Sequence, residues 1–201
     1  MNARDKILAS IATGKPALAP LPDMEFAAES DVDLIGEEFI RVLGSIGATV
    51  NTTNGVALIK EDLRQARLDG GYIVNTIPAI GIVDAEVNAG STAHSLERVE
   101  KAYVRGTIGV AENGAIWLSE PDMINRLLPF ICQHLVIVLD RQKVVTNMHE
   151  AYGALSTTRQ EGYGVFIAGP SRTADIEQSL VTGAHGARSV LVYLVSPETH
   201  F

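Results

Sequence analysis

Two apolar runs near the end of the chain, Val165-Phe166-Ile167-Ala168 and Ser189-Val190-Leu191-Val192-Tyr193-Leu194-Val195, are rich in β-branched and aromatic residues and show no polar alternation. A strand with one wet face alternates; a strand without alternation is buried on both faces, as parallel strands in α/β proteins are. The segment between the runs holds a dense set of polar side chains, and the pattern predicts a strand, loop, helix, loop, strand crossover within one sheet. Such a crossover sets Gly169–Glu177 at the carboxyl end of a strand and at a helix N-terminus, where free backbone N–H groups collect ligands.

The rest of the chain supports an α/β fold in one domain. Residues 3–12 predict a short amphipathic helix, and the prolines of 14–22 prevent its continuation. Residues 1–30 thus read as a helix and proline-rich arm ahead of an α/β domain over 31–201. From Asp31, the spacing of Ile35, Phe39, Val42, Leu43 and Ile46 predicts a helix with acids at its front and Gly47 as its stop. Short strands are predicted at 56–59, 72–75 and 81–83, with a polar helical segment at 61–69. Residues 96–103 read as helical and 107–118 as a hairpin about Glu112-Asn113-Gly114, with Asn-Gly suited to a type I′ turn. Residues 121–133 read as a helix interrupted by Pro129, 135–140 as a buried strand and 146–155 as a helix.

Composition narrows the function. With 201 residues, 46% of them hydrophobic, the chain can fill one core. A net charge of −8 repels a nucleic-acid backbone, and no basic cluster interleaved with aromatics offsets it, so no nucleic-acid partner is expected. The single cysteine, Cys132, forms no internal disulfide and holds neither an iron–sulfur cluster nor a cysteine-based zinc ion, so a redox centre belongs to another chain or a bound cofactor. Residues 1–15 lack a signal-peptide core and no 18-residue apolar run follows, so a cytoplasmic protein without a membrane span is expected. The arm reads equally as a linker and as an element exchanged in a homo-oligomer.

Ser171, Thr173, Asp175 and Glu177 have two readings. They cap a helix, with a hydroxyl at its N-cap and acids in its first turn, or they line a ligand site. Capping leaves unexplained Gly169-Pro170 ahead of the cap and Gly183-Ala184-His185-Gly186 behind the helix, which suggest close backbone approach at both ends. The acids disfavour a bare phosphate and fit hydroxyls, an amine or a metal-shielded anion; no Walker loop is present. His185 reads as a general base, a metal ligand or a hydrogen-bonded structural residue. The histidines show no zinc spacing, so no metal site of the chain's own is expected. Glu112 and Asn113 form a plain hairpin turn or hydrogen-bond a substrate, and Arg126 lies on a solvated helix face or clamps a carboxylate. Ser171 lacks the Gly-x-Ser-x-Gly elbow of a nucleophile, and Cys132 reads as buried and inert.

Gly-Pro-Ser-Arg-Thr-Ala-Asp-Ile-Glu at 169–177, Leu180-Val181-x-Gly183-x-His185-Gly186 and the strand at 189–195 together resemble the LUD domain of the lactate-utilization protein C family. Gly109-Val110-Ala111-Glu112 and Arg126-Leu127-Leu128-Pro129 add to the likeness. The resemblance implies a three-layer α/β/α fold with a mainly parallel sheet, like the NagB/RpiA/CoA-transferase group and related to 5-formyltetrahydrofolate cyclo-ligase. It also implies a part in oxidising L-lactate to pyruvate beside iron–sulfur partner subunits that carry the clusters. The chain reads Glu112-Asn113-Gly114-Ala115 where the family has Glu-Thr-Gly-Thr, so two hydroxyls are missing. The first expectation is therefore a cluster-free component of a lactate or 2-hydroxy-acid oxidation system that binds a small anionic metabolite or cofactor at 169–186. In that picture Gly169, Pro170, Ser171, Thr173, Gly183 and Gly186 position the ligand, Asp175 and Glu177 bind its hydroxyls or a cation, His185 moves a proton, and Glu112, Asn113, Gly114 and Arg126 complete the pocket. A non-catalytic assembly subunit and an ATP-dependent ligase are the rival expectations.

Overall fold

The computed structural model describes residues 2–16, 19–20, 31–158, 162–173 and 181–196. The first half contains α1 (Ala3–Thr13), α2 (Val32–Ser45), β1 (Thr49–Thr53), α3 (Ala57–Leu68), β2 (Ile73–Asn75), α4 (Ala93–Leu96) and β3 (Lys101–Arg105). Next come β4 (Ile108–Val110), β5 (Ala115–Ser119), α5 (Glu120–Met123), α6 (Leu128–Ile131) and β6 (His134–Asp140). The chain continues with β7 (Val144–Val145), α7 (Met148–Thr158), β8 (Gly164–Ile167), β9 (Arg172–Thr173), β10 (Val181–Thr182) and β11 (Ser189–Val195).

The strands with the most continuous apolar sequence take the centre. Leu135–Leu139 and Val192–Val195 are almost wholly buried, and β6 and β11 pair along their full length inside an all-parallel sheet of order β1-β11-β6-β3-β2. On one face Ile59, Leu63 and Ala66 of α3 pack against Tyr103, Val136, Val138, Tyr193 and Val195. On the other, Ile35, Phe39 and Leu43 of α2 meet Val104, Ile137, Leu139 and Val192. Each large side chain so buried contributes about 1.5–3 kcal/mol. Asp31 caps α2 by accepting from the Asp33 and Leu34 N–H groups, and the helix ends where Gly47 turns to positive φ and the Ala48 N–H reaches the Leu43 carbonyl. The layers are those of an α/β/α fold. The layer holding α2 also contains a second sheet, β7-β4-β5-β8, whose Ile116 and Leu118 join the same core.

Several local expectations are corrected. Residues 56–59 open α3 instead of forming a strand, because Ile59, Leu63 and Ala66 share one helical face. Residues 81–83 form a loop, folded back by the Asn75 amide and side chain onto Asp84, Ile77 and Ile82. The helix expected over 96–103 stops at Leu96, and β3 begins at Lys101; the charges that imitate a helical polar face are spent in the turn and on Asp62, which accepts from Tyr103 Oη at 2.9 Å and pairs with Lys101. The 121–133 segment breaks at Ile124, where φ is +63°, and Pro129 sits within the first turn of α6. The 107–118 hairpin forms, but only Gly114 has positive φ, and the Gly114 N–H closes a four-residue loop on the Val110 carbonyl in place of a type I′ turn.

The largest correction concerns the two apolar runs that anchor the sequence reading. β8 and β11 lie in different sheets: β11 is central in the parallel sheet, whereas β8 is a half-buried strand antiparallel to β5. Arg172–Thr173, where the helix was expected to start, pairs as β9 with Val181–Thr182. Residues 174–180, where its body would fall, lie outside the described residues.

Candidate functional site

Extending the β5–β8 register beyond Ile116↔Ile167 sets Gly114 opposite Gly169. Both have positive φ, +71° and +68°, and a Cβ on either would press on the side chain of Ile46 at the end of α2. Glycine is what lets the hairpin tip and the first motif residue pass under the helix together. Two of the sequence-predicted groups, 112–114 and 169–171, are thus neighbours at one end of the second sheet.

Beyond Gly169 the chain is held from both sides. The Ser171 N–H donates to the Ala187 carbonyl and the Ser171 carbonyl accepts from the Gly183 N–H, each at 2.9 Å. Gly183 and Gly186, at φ +82° and +147°, let the 183–186 turn close against Arg188 and Ser171. Between these segments lies a cavity of about 280 Å³ lined by Ala168–Arg172 and His185–Ala187. Its floor is apolar, from Phe130, Leu135, Phe166, Ile167 and Val190. Its polar groups are Ser171, Arg172 and the exposed His185. The Arg172 guanidinium lies over Gly47, just past the last turn of α2, where the helix carbonyls favour a cation. His185 and Gly186 also face an adjoining cavity of about 410 Å³ with Gly183, Leu127 and Phe130. The position corrects an expectation: Leu135 and Val190 are near the amino ends of their parallel strands, so the cavity sits at that edge of the main sheet and not at its carboxyl edge.

Other predicted residues are placed apart. Glu112 accepts from the Met148 N–H at the start of α7 and lines a cavity of about 510 Å³ with Leu34, Ile35, Glu38 and Asn147. Asn113 accepts from the Ala115 N–H within its own turn. Arg126 lines another cavity and grips Glu120 with two hydrogen bonds, at 2.5 and 2.9 Å, while stacking 4.9 Å from the Tyr163 ring. Its hydrogen bonds, seconded by the Tyr163 N–H, hold the Glu120 carboxyl below the usual range. Thr173 is half-buried on β9 outside the cavity lining, and Asp175 and Glu177 lie outside the described residues. Cys132 is buried behind Pro129, and burial pushes its thiol up to about 12. Among the described residues no group of three His, Cys, Asp or Glu is arranged to hold a metal ion, and no helix is long and apolar enough to cross a membrane. Arg172, Phe130 and Phe166 have no site role among the sequence expectations; for Arg172 the available signal is a cation inside an otherwise neutral Gly-Pro-Ser-Arg-Thr run.

The fold agrees with that of a known protein. The chain is similar to a DUF162 family protein from Deinococcus radiodurans, with a TM-score of 0.62 at 16% identity, over 83% of this chain and 99% of that one. It is 30% identical to the lactate utilization protein C of Bacillus pumilus over 120 residues, 57% of this chain and 50% of the relative. Against the protein of that name from Shouchella clausii it is 30% identical over 149 residues, 71% of this chain and 63% of the relative. The chain spans about half the length of the curated relatives it matches first. The LUD domain matches residues 79–195, more than half of the chain, taking in the hairpin, the 169–186 segment and three central strands; the chain belongs to the LUD domain family.

Proposed function

We propose that this chain is a cluster-free component of a lactate, or related 2-hydroxy-acid, utilization system and binds a small anionic metabolite between Ala168–Arg172 and His185–Ala187. The observation that carries the reading is the cavity there, with an apolar floor and with Arg172 and His185 among its lining residues. In this reading Arg172 pairs with the carboxylate, Ser171 holds a second oxygen, and His185 takes or returns the hydroxyl proton. Asp175 and Glu177 bind hydroxyls or a shielding cation from the segment that follows β9. The hairpin tip at 112–114 braces the wall, and Arg126, committed to Glu120, is not required. Oxidising a hydroxy acid removes two electrons. One buried cysteine cannot receive them through a cluster, so this reading gives that task to iron–sulfur partner subunits or a bound cofactor. The names of the relatives support the metabolic assignment.

A second reading, a non-catalytic assembly subunit, is favoured by α1, on which Ile7, Leu8 and Ile11 are all at least half exposed. Thermal shift separates the two. A ligand that binds only the folded chain stabilises it, by about 2.7 kcal/mol at a hundredfold excess over Kd. L-lactate or pyruvate is expected to raise the melting temperature, and Arg172→Gln and His185→Ala to abolish the rise. No shift with either acid, or one unchanged in both variants, overturns the binding assignment.

A further inference from the structure

Leu127 and Phe130, three positions apart at the one-turn helix α6, are each 41% exposed, whereas Leu128 and Pro129 between them are buried. The backbone that presents the two exposed side chains is fixed from below. Asn125 is buried, and its side-chain amide donates to the Asn88 and Ser91 carbonyls at 2.9 and 3.0 Å while its side-chain oxygen accepts from the Leu127 N–H at 2.9 Å. The Phe130 and Ile131 N–H groups then both reach the Leu127 carbonyl. A ligand that meets a ridge held in this way has little backbone to order.

The ridge borders the candidate metabolite site. Phe130, His185 and Gly186 line both the 280 Å³ cavity and the adjoining one of about 410 Å³, to which Leu127, Ile131 and Gln133 are added. Among the described residues no Asp, Glu, Lys or Arg lines the adjoining cavity. Lactate carries one methyl group beyond its carboxylate and hydroxyl. In the smaller cavity that methyl covers little of the floor made by Leu135, Phe166, Ile167 and Val190, and it leaves Leu127, which is not in that lining, to water.

We propose that the adjoining cavity is the side-chain subsite of the 2-hydroxy acid, so that the preferred ligands carry a branched aliphatic or aromatic group in place of lactate's methyl; this rests on the assignment of carboxylate and hydroxyl to the 168–187 cavity. The α-substituent passes His185 and Gly186 and lies on Phe130 and Leu127. Each methylene fully buried strengthens binding roughly four-fold. Leu127 and Phe130 keep one side in water, so an isobutyl or benzyl group is expected to gain roughly ten-fold over methyl. A second carboxylate in this position meets no Lys or Arg, so the subsite discriminates against 2-hydroxy dicarboxylates.

Competition calorimetry on the full chain tests this, with L-lactate, L-2-hydroxyisocaproate, L-phenyllactate and L-malate as probes. The two apolar acids are expected to bind roughly ten-fold tighter than L-lactate and to be displaced by it, and L-malate to bind no tighter than L-lactate. Leu127→Ser, at an exposed position, is expected to lower the phenyllactate-to-lactate affinity ratio roughly three-fold, and Leu127→Met to keep it. Equal affinity for lactate and the apolar acids, apolar acids that lactate does not displace, malate as tight as phenyllactate, or a ratio unchanged in folded Leu127→Ser each overturns the subsite and leaves the lactate assignment standing. If none of the four acids binds, or if binding persists unchanged in both Arg172→Gln and His185→Ala, the 168–187 assignment fails and the subsite fails with it.

Discussion

The two ends of β8 are walled by different means. At Gly164 the wall is a side chain, the Trp117 indole laid across the strand and braced by Phe166. At Gly169 the wall is backbone, with the chain in left-handed geometry beneath the Ile46 carbonyl and side chain. Phe166 belongs to both ends, since it stacks on Trp117 and lines the 168–187 cavity. A glycine of each kind fails differently, and that difference separates an end shaped by packing from one shaped by φ.

Gly164→Ala is expected to have the largest effect. Its Cβ meets a ring held on its other side by Phe166, and overpacking of this kind costs about 2–3 kcal/mol. For a chain of this size that lowers the melting temperature by roughly 5–10 °C, with a change in Trp117 emission. Gly169→Ala is expected to cost about 1–2 kcal/mol, from forcing Cβ into positive φ. Gly169→Asn, which tolerates that region better, should recover part of the loss, whereas Gly164→Asn should recover none. Equal rescue at both positions would erase the distinction between the two ends.

The sequence exposes this asymmetry only in part. β6, β11 and α2 are legible because their apolar residues are either continuous or helically spaced, and those patterns are local. The membership of β8 is not local: Val165–Ala168 reads like a buried parallel strand, and what sends it to the second sheet is Trp117 packing across onto Gly164 and Phe166, about fifty residues away in sequence. The 169–186 segment stands out in the sequence through its glycines and polar residues, and a cavity lies between its described ends, Ala168–Arg172 and His185–Ala187. Its place at the amino edge of the parallel sheet was not, because the expected edge followed from assigning β8 and β11 to one sheet. A cavity beside Trp117 has no sequence signature because its residues come from β3, β5, α5 and the segments leading into β4 and β8 and share no motif.

A second comparison runs through pH. The buried Cys132 supports the Pro129–Phe130 wall of the 168–187 cavity, and its folded-state thiol stays protonated up to about 12 against an ordinary value of 9.0. Tyr193, raised by burial first and Asp62 second, reaches about 12 from 10.0, and burial moves Tyr103 the same way. Between those values the unfolded chain releases protons that the folded chain keeps, so stability is full below about pH 9 and falls as pH rises toward 12. Chemical denaturation across that window should show the decline, and Cys132→Ala should make it shallower. An unchanged slope in that variant would remove Cys132 from the account.

The smallest effect is expected from Arg126→Gln. Its guanidinium is exposed and bonded to a half-buried Glu120, so losing the pair should leave the melting temperature nearly unchanged. The Tyr163 ring then loses its stacked cation. The lactate-induced thermal shift assigned to the Ala168 end should stay as in the wild type, since Arg126 lines neither cavity flanking His185. If that shift disappears instead, Arg126 reaches the 168–187 ligand after releasing Glu120, and the two ends of β8 are coupled through the 120–130 segment that joins them.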